Sequence, residues 1–352
     1  MTRVRTRDGI ELAYESIGNP QDPPLILIMG LGAQMHVWPD SLCRNIAAKG
    51  FRVIRFDNRD SGESTALEEH GNPSIIRVWL GTRLAKKKPA VPYTLKDMAR
   101  DVIALMDTLE LDSAHVAGAS MGGMIAQILA AKHRRRIRSL TSIMSSATAP
   151  RLPVSQLQML LHLARRPGSR NRDAHIEYIT RMNRMIGSPG YPMKDDELQR
   201  LAETSWERTA SPLGFKRQLA AITHAGDRRR LLQKIKARTL VIHGADDPLV
   251  PVTMGIETAA LIRRSKLKII FGMGHDFPEA LVPRLTRLMV RHLKKSEKKW
   301  QARQLRKSLR RLPEDDRSAA NDHASSLDWL NQADNHLSAA PDLRQSYLSY
   351  LK

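Results

Sequence analysis

The stretch Gly118-Ala119-Ser120-Met121-Gly122 sets one serine between small residues, after an apolar strand-like run (Ser113 to Ala117) and before an apolar helix-like run (Met124 to Ala131). A strand that turns straight into a helix forces its central residue into an unusual backbone conformation, and small neighbours two positions away let the chain pass closely. The Ser120 hydroxyl then stands clear of the sheet, above a helix N-terminus whose first N–H groups lack partners. This is the setting of a nucleophile that attacks a carbonyl carbon. A serine that merely fits a tight turn would look the same, so the reading depends on which other groups reach the same place.

A serine hydroxyl is a weak nucleophile near neutral pH and needs a base. Leu267 to Phe271 predicts a strand that ends in Gly272-Met273-Gly274-His275. Leu240-Val241-Ile242-His243-Gly244 predicts a buried strand running into Ala245-Asp246-Asp247-Pro248-Leu249-Val250-Pro251, a turn rich in carboxylate and proline. Serine, acid and histidine thus follow in that order, each just past the C-terminal end of a predicted strand, where open α/β sheets gather their sites. His275 would take the serine proton and return it to the leaving group, and a carboxylate would fix the imidazole tautomer. Asp246 and Asp247 are both available, with side chains that should point differently. His243, at the end of a buried strand, reads as a core polar contact. His36, His224 and His292 read as surface or inserted-helix residues, and Cys43 as a small buried hydrophobe.

Two more segments extend the pattern. Leu25-Ile26-Leu27-Ile28-Met29-Gly30-Leu31-Gly32 is a strand followed by a glycine-rich loop, and Phe51 to Phe56 is a strand followed by the polar turn Asp57-Asn58-Arg59-Asp60-Ser61-Gly62-Glu63-Ser64-Thr65. From about Thr2 to about Leu293 the chain resembles the α/β-hydrolase superfamily, and within it the aclacinomycin methylesterase-type small-molecule esterases. The resemblance implies a mostly parallel sheet with helices on both faces, and a helical cap inserted between the sixth and seventh strands. It puts the acid three residues after Gly244, at Asp247. It makes the backbone N–H groups of Leu31 and Met121 the oxyanion hole, and it implies no cofactor and no metal. Many relatives have His-Gly where this chain has Met29-Gly30, which leaves the supporting hydrogen bonds of that loop in question; the donor itself is backbone.

The elements that must position these groups follow from periodicity. Val4 to Ile17 predicts a hairpin turning at Asp8-Gly9. Asp40 to Lys49 predicts a helix, and Thr94 to Leu109 another with Thr94 as N-cap. Leu140 to Met144 predicts a buried strand ending in Ser145-Ser146. Strand–helix alternation then gives way to helical periodicity over Val154 to Ala164, Ala174 to Ile186, Asp195 to Arg208 and Pro212 to Ala225. Pro278 to Leu293 closes the pattern. The expected organisation is an α/β-hydrolase core over 1–146 and 231–293, a helical cap over 147–230, and a charged C-terminal extension over 294–352, partly helical or disordered, whose basic part could extend the last helix.

The chain has 352 residues, 41% of them apolar, enough for one large α/β domain with an insertion. Its single cysteine cannot form an intrachain disulfide, and its polar first residues carry no secretory pattern, so a cytoplasmic location is expected. The formal net charge is +21. Lys294 to Arg311 contributes nine basic residues and one acid, so an anionic surface or acidic partner for this segment is one expectation and a solvated charge run the other. Aromatics make up only 5% of the chain and no nucleic-acid motif is present, so specific nucleic-acid binding is not expected. Trp38, Met159, Met182, Met185, Trp206 and Phe277 lie on segments that could face the cleft and would suit an adaptable apolar pocket, though such side chains also build ordinary cores. The expected function is a serine hydrolase that cleaves a carboxylic ester of a medium-sized apolar small molecule through an acyl-enzyme on Ser120. A lactone or carbon–carbon bond hydrolase on the same groups, or a non-catalytic binding protein on this scaffold, are the alternatives.

Overall fold

Leu25-Ile26-Leu27-Ile28 has no polar face, and its alternate side chains must therefore be covered on both sides of a sheet. In the computed structural model, which describes residues 2–84, 89–148, 171–208 and 214–309, they are. Ile26 and Ile28 join Ile54, Phe56 and Val116 in a cluster with Met98, Val102, Met124 and Ile128. Leu25 and Leu27 point the other way, to Val53, Ala117, Leu42, Ile46, Leu285 and Met289.

The sheet has eight strands in the order β1-β2-β4-β3-β5-β6-β7-β8. β1 (Thr2–Arg5) and β2 (Glu11–Ile17) form the predicted hairpin, and β2 pairs antiparallel with β4 (Arg52–Phe56). From β4 onward through β3 (Pro24–Ile28), β5 (Ala114–Ala119), β6 (Ile137–Ile143), β7 (Arg238–Gly244) and β8 (Ser265–Ile270) all pairs are parallel. One cluster is covered by α3 (Leu95–Thr108) and α4 (Met121–Lys132), the other by α1 (Asp40–Ala47) and the first part of α10 (Val282–Leu309). Lys266 and Lys268 are exposed on β8, where charge deters pairing with another sheet edge.

The start of α3 is fixed as its sequence suggests. The Thr94 hydroxyl accepts from the N–H of Lys96 and Asp97, and Asp97 accepts from the Thr94 N–H at 2.8 Å, a capping box. Between β6 and β7 the chain forms α5 (Arg172–Ile186), α6 (Asp195–Glu207), α7 (Gly214–Ala225) and the short α8 (Arg229–Leu232). The helix expected over Val154 to Ala164 lies outside the described residues. Two helices appear where none was expected, α2 (Ile75–Leu84) and α9 (Val252–Leu261). Among the described residues, no helix is long and apolar enough to cross a membrane.

The chain divides into two compact units, residues 1–297 and 298–352, the second described only over 298–309 as the continuation of α10. α10 runs past Leu293, and Glu297 beyond it lies within the first unit. Glu297 accepts from Arg138 at 2.9 Å and bonds the buried His115 ring at 3.0 Å, and His115 also meets the Ser139 hydroxyl at 2.7 Å. Arg284, Arg287, Arg291, Lys294 and Lys295 stay exposed on the same helix.

His292 is not the surface residue expected. It is largely withdrawn from solvent on α10, and burial, reinforced by nearby His115 and Arg238, pulls its pKa down to about 3. Below its ordinary value of 6.5 the unfolded chain takes up a proton that the native state refuses, so stability present above pH 6.5 is lost as pH falls towards 3. By pH 4 this one group costs on the order of 3 kcal/mol. His292→Gln should flatten the fall in unfolding free energy between pH 6.5 and 4, read by urea denaturation at several pH values.

Candidate active site

β5 ends at Ala119, and Ser120 is the hinge into α4, with φ 54° and ψ −119°. These angles are the mirror image of ordinary extended backbone, a region that L-residues avoid and glycine enters freely. The turn closes because its neighbours lack side chains. A Cβ on Gly118 would overlap the Gly122 carbonyl, and one on Gly122 would overlap the carbonyls of Ile28 and Met29. The Ser120 N–H donates to the Ile143 carbonyl at 2.9 Å, and the Ser120 carbonyl accepts from the Ser145 hydroxyl at 2.7 Å. Ser145, at the end of β6, thereby ties the turn to the next strand.

The two adjacent carboxylates separate as their positions require. Asp246 is drawn outward and accepts the Gly272 N–H at 2.7 Å. Asp247 is buried; its Oδ1 accepts the N–H groups of Leu249 and Val250 at 2.9 and 2.7 Å, and its Oδ2 lies 2.7 Å from Nδ1 of His275. A carboxylate oxygen accepts, so Nδ1 carries the proton and Nε2 keeps a lone pair. His243 stands nearby, with Nε2 3.5 Å from the same Asp247 oxygen, but it bonds the Val250 carbonyl at 2.8 Å and burial lowers its pKa. It stays neutral, the core contact its sequence position suggests.

His275 is itself almost buried, and its N–H donates to the Ile186 carbonyl at 2.7 Å. No hydrogen bond joins its ring to the Ser120 hydroxyl in this structure. Such bonds are often long in unliganded sites and tighten with substrate. The next residue, Asp276, is held by Ser188, and burial raises its pKa to about 6.

Among the described residues, no carbonyl or side chain takes the N–H of Leu31 or of Met121. Gly30 lies against Ser120, so close that a Cβ there would sit 3.1 Å from the serine Cβ. The loop that carries Leu31 is held by groups the sequence did not reveal. The Asn58 amide donates to the Met29 carbonyl at 3.0 Å, Gln218 accepts the Gly32 N–H at 2.7 Å, and Asp57 accepts the Met35 N–H at 2.7 Å. These bonds supply the support left open by Met29 standing where many relatives have histidine. Gln218 also donates to the Arg59 carbonyl and the Ser61 hydroxyl. Beside it Arg217 forms a fully buried, two-pronged pair with Asp60 at 2.7 and 2.8 Å, and Asp60 also accepts from Tyr93 at 2.6 Å. Asp57 pairs with Arg208 and Arg59 with Asp101, so both turn residues are committed to structure.

The residues expected to line a pocket fall in several places. Trp38 is wholly buried and packs on Phe277 with ring centres 4.7 Å apart, both inside the cluster beneath the sheet. Trp206 of α6 packs on His175 of α5, Met182 is buried on α5, and Met185 is exposed beside Glu177, Arg181 and Arg184. Met159 lies outside the described residues. Packing between elements therefore accounts for Trp38, Phe277, Met182 and Trp206. Cys43 is buried as expected, and burial pushes its thiol up to about 11.

A mostly parallel eight-stranded sheet with its serine at the sharp turn after the fifth strand, and its acid and histidine after the seventh and eighth, defines the class. The chain belongs to the α/β-hydrolase fold family, whose model matches residues 23–279. Its relatives include the rhodomycin D methylesterases of Streptomyces sp. (strain C5) and Streptomyces peucetius, 27% and 25% identical over 315 residues, 80% of this chain and 94% of theirs. The 3-oxoadipate enol-lactonase 2 of Acinetobacter baylyi is 26% identical over 269 residues, 75% of this chain and 86% of that one. In structure, the enol-lactonase from Burkholderia xenovorans LB400 shares the fold with a TM-score of 0.63 at 23% identity, covering 83% of this chain and 100% of that one.

Ser120→Gly tests the strain at the turn. Removing a non-glycine residue from this backbone region relieves on the order of 1–3 kcal/mol, offset in part by the extra chain entropy of glycine. The variant should unfold at an equal or slightly higher temperature than the parent, whereas Gly122→Ala should lower the midpoint by several degrees, both measured by calorimetry.

Proposed function

We propose that the protein is a carboxylic ester hydrolase that works through an acyl-enzyme on Ser120. The observation that carries this reading is the 2.7 Å bond between Asp247 and His275, made at the sheet edge from which Ser120 also emerges. Held in that tautomer, His275 presents Nε2 as a base. It removes the Ser120 proton as Oγ attacks the ester carbonyl, and Asp247 stabilises the imidazolium that results. The oxyanion forms against the backbone N–H groups of Met121 and Leu31, each such donor being worth about 3 kcal/mol in the transition state. His275 then passes the proton to the departing alcohol. In the second half a water gives its proton to His275 and attacks the acyl carbon, and His275 passes that proton to Ser120 Oγ as the acid is released.

The inserted helices act as a cap over this edge in the reading. Three features support it: the Ile186 carbonyl bonded to His275, Gln218 bonded to the oxyanion loop, and Arg208 paired with Asp57. The substrate proposed is a small-molecule ester with an apolar body, by analogy with the methylesterase relatives. A lactone is the second reading, favoured by the enol-lactonase relative, and it uses the same steps with the alcohol still tethered to the acyl group.

A serine-directed phosphonate should label Ser120 alone. On a panel of methyl and aryl esters graded by acyl length, Ser120→Ala and His275→Ala should lower kcat by roughly 10⁴-fold or more, and Asp247→Asn by about 10⁴-fold. Labelling elsewhere, or a Ser120→Ala enzyme that keeps its activity, would overturn the assignment. A preference for lactones over open esters would shift it to the second reading.

A further inference from the structure

His275 sits on a loop that is fastened from two sides. It follows β8 through Gly272-Met273-Gly274, and glycine leaves backbone free to swing. On the sheet side the Asp246 N–H donates to the Met273 carbonyl at 3.1 Å, Asp246 accepts the Gly272 N–H at 2.7 Å and Asp247 holds the His275 ring. On the other side the bonds come from the segment Ile186 to Tyr191, between the end of α5 and α6. The His275 N–H donates to the Ile186 carbonyl at 2.7 Å, and the Gly190 N–H donates to the Gly272 carbonyl at 2.9 Å. Ser188 bridges the residues on either side of the histidine. Its hydroxyl accepts the Gly274 N–H at 2.9 Å and donates to Oδ1 of Asp276, while its own N–H donates to Oδ2 of Asp276 at 3.2 Å. Both side chains are buried, Ser188 at 2% and Asp276 at 5% exposure. Close approach reinforces the bonds: a Cβ on Gly274 would overlap the carbonyls of Gly187 and Ile186, and one on Gly190 would press on the backbone of Gly272.

We infer that Ser188 and Asp276 are positioning residues, through which the connection between α5 and α6 holds the His275 imidazole where the reaction needs it. The inference rests on the reading of His275 as the catalytic base. Ser188 touches no reacting atom in this account. Its hydroxyl accepts from one side of the histidine and donates to the other, so one side chain ties both flanks to the inserted helices. A misplacement of about 1 Å at such a base costs up to about 100-fold in rate. The cost falls on the chemical step, because neither residue adds surface to bind substrate.

A double-mutant cycle on the full chain tests this. Ser188→Ala and Asp276→Ala should each lower kcat roughly 10- to 100-fold with KM within about threefold, and the double variant should lose no more than the worse single one. Asp276→Asn, which keeps an acceptor for the Ser188 hydroxyl, should recover most of the loss. A rise in KM at constant kcat, losses that multiply in the double variant, or wild-type rates throughout would each overturn the inference. Should the alanine variants fail to fold, amide hydrogen exchange on the unaltered protein decides. The N–H groups of Gly274, His275 and Gly190 should exchange through one shared opening, faster than those of β5; a His275 amide protected together with β5 while Gly190 exchanges freely would refute it. Ser120→Ala and His275→Ala are run alongside: if either keeps its activity the active-site reading fails, and if both are dead while the Ser188 and Asp276 variants run normally only this inference does.

Discussion

A serine backbone at φ 54° and ψ −119° is held in a region it would not choose, and the rest of the site is arranged around that constraint. The turn is possible because Gly118 and Gly122 let strand, loop and helix backbones touch, and because β3 and β5 are neighbours in the sheet. The same contact brings Gly30 against Ser120 and, among the described residues, leaves the N–H groups of Leu31 and Met121 without partners. Strain, serine exposure and unsatisfied donors are therefore one local arrangement rather than three features. A wider turn would relieve the serine and also separate the strand end from the loop.

The inserted helices are fastened to the core in two different ways. α7 is anchored by charge and amide: Arg217 on Asp60, and Gln218 across Gly32, Arg59 and Ser61. Removing one partner of a buried pair such as Arg217–Asp60 costs about 3–5 kcal/mol, so this helix is a fixed wall. The join between α5 and α6 is held mainly by backbone bonds and one serine hydroxyl. Those are individually weaker, about 1 kcal/mol each when neutral. The loop that carries Leu31 thus leans on the rigid anchor, and the loop that carries His275 takes its contact with the inserted helices from the lighter one.

The sequence carried the parts of this design that are local. Ser120, His275 and the pair Asp246-Asp247 stand out because each ends a short apolar run and small or turn-forming residues follow or surround it. The capping box at Thr94 and the hairpin at Gly9 are local in the same sense. What escaped was long-range. Ser188 meets a partner 88 residues away, Arg217 one 157 away, and Gln218 one 186 away. Arg217 and Gln218 are polar residues in a helical stretch with no local mark of burial, yet both are wholly buried. Trp38 and Phe277 were open to two readings for a related cause: an aromatic near a site has the same pattern whether it faces substrate or core, and only the packing of α1 and α10 decides. α9 follows a proline and is apolar on most sides, so it offers little helical contrast to detect.

One carboxylate serving two histidines explains a further detail. Asp247 lies within 3.5 Å of both His243 and His275, and two protonated rings there would share its charge. His243 is prevented from competing. Its Nε2 proton is committed to the Val250 carbonyl, while Gly255 packs so closely on Nδ1 that a Cβ there would overlap the ring. Among the described residues that buried nitrogen has no partner, and burial depresses the pKa, so the ring remains neutral. The Asp247 charge is then left for His275, the one ring that gains a proton during the proposed reaction. His243 contributes through its neutrality, by keeping the turn after β7 closed without taking the electrostatic support that the other ring requires.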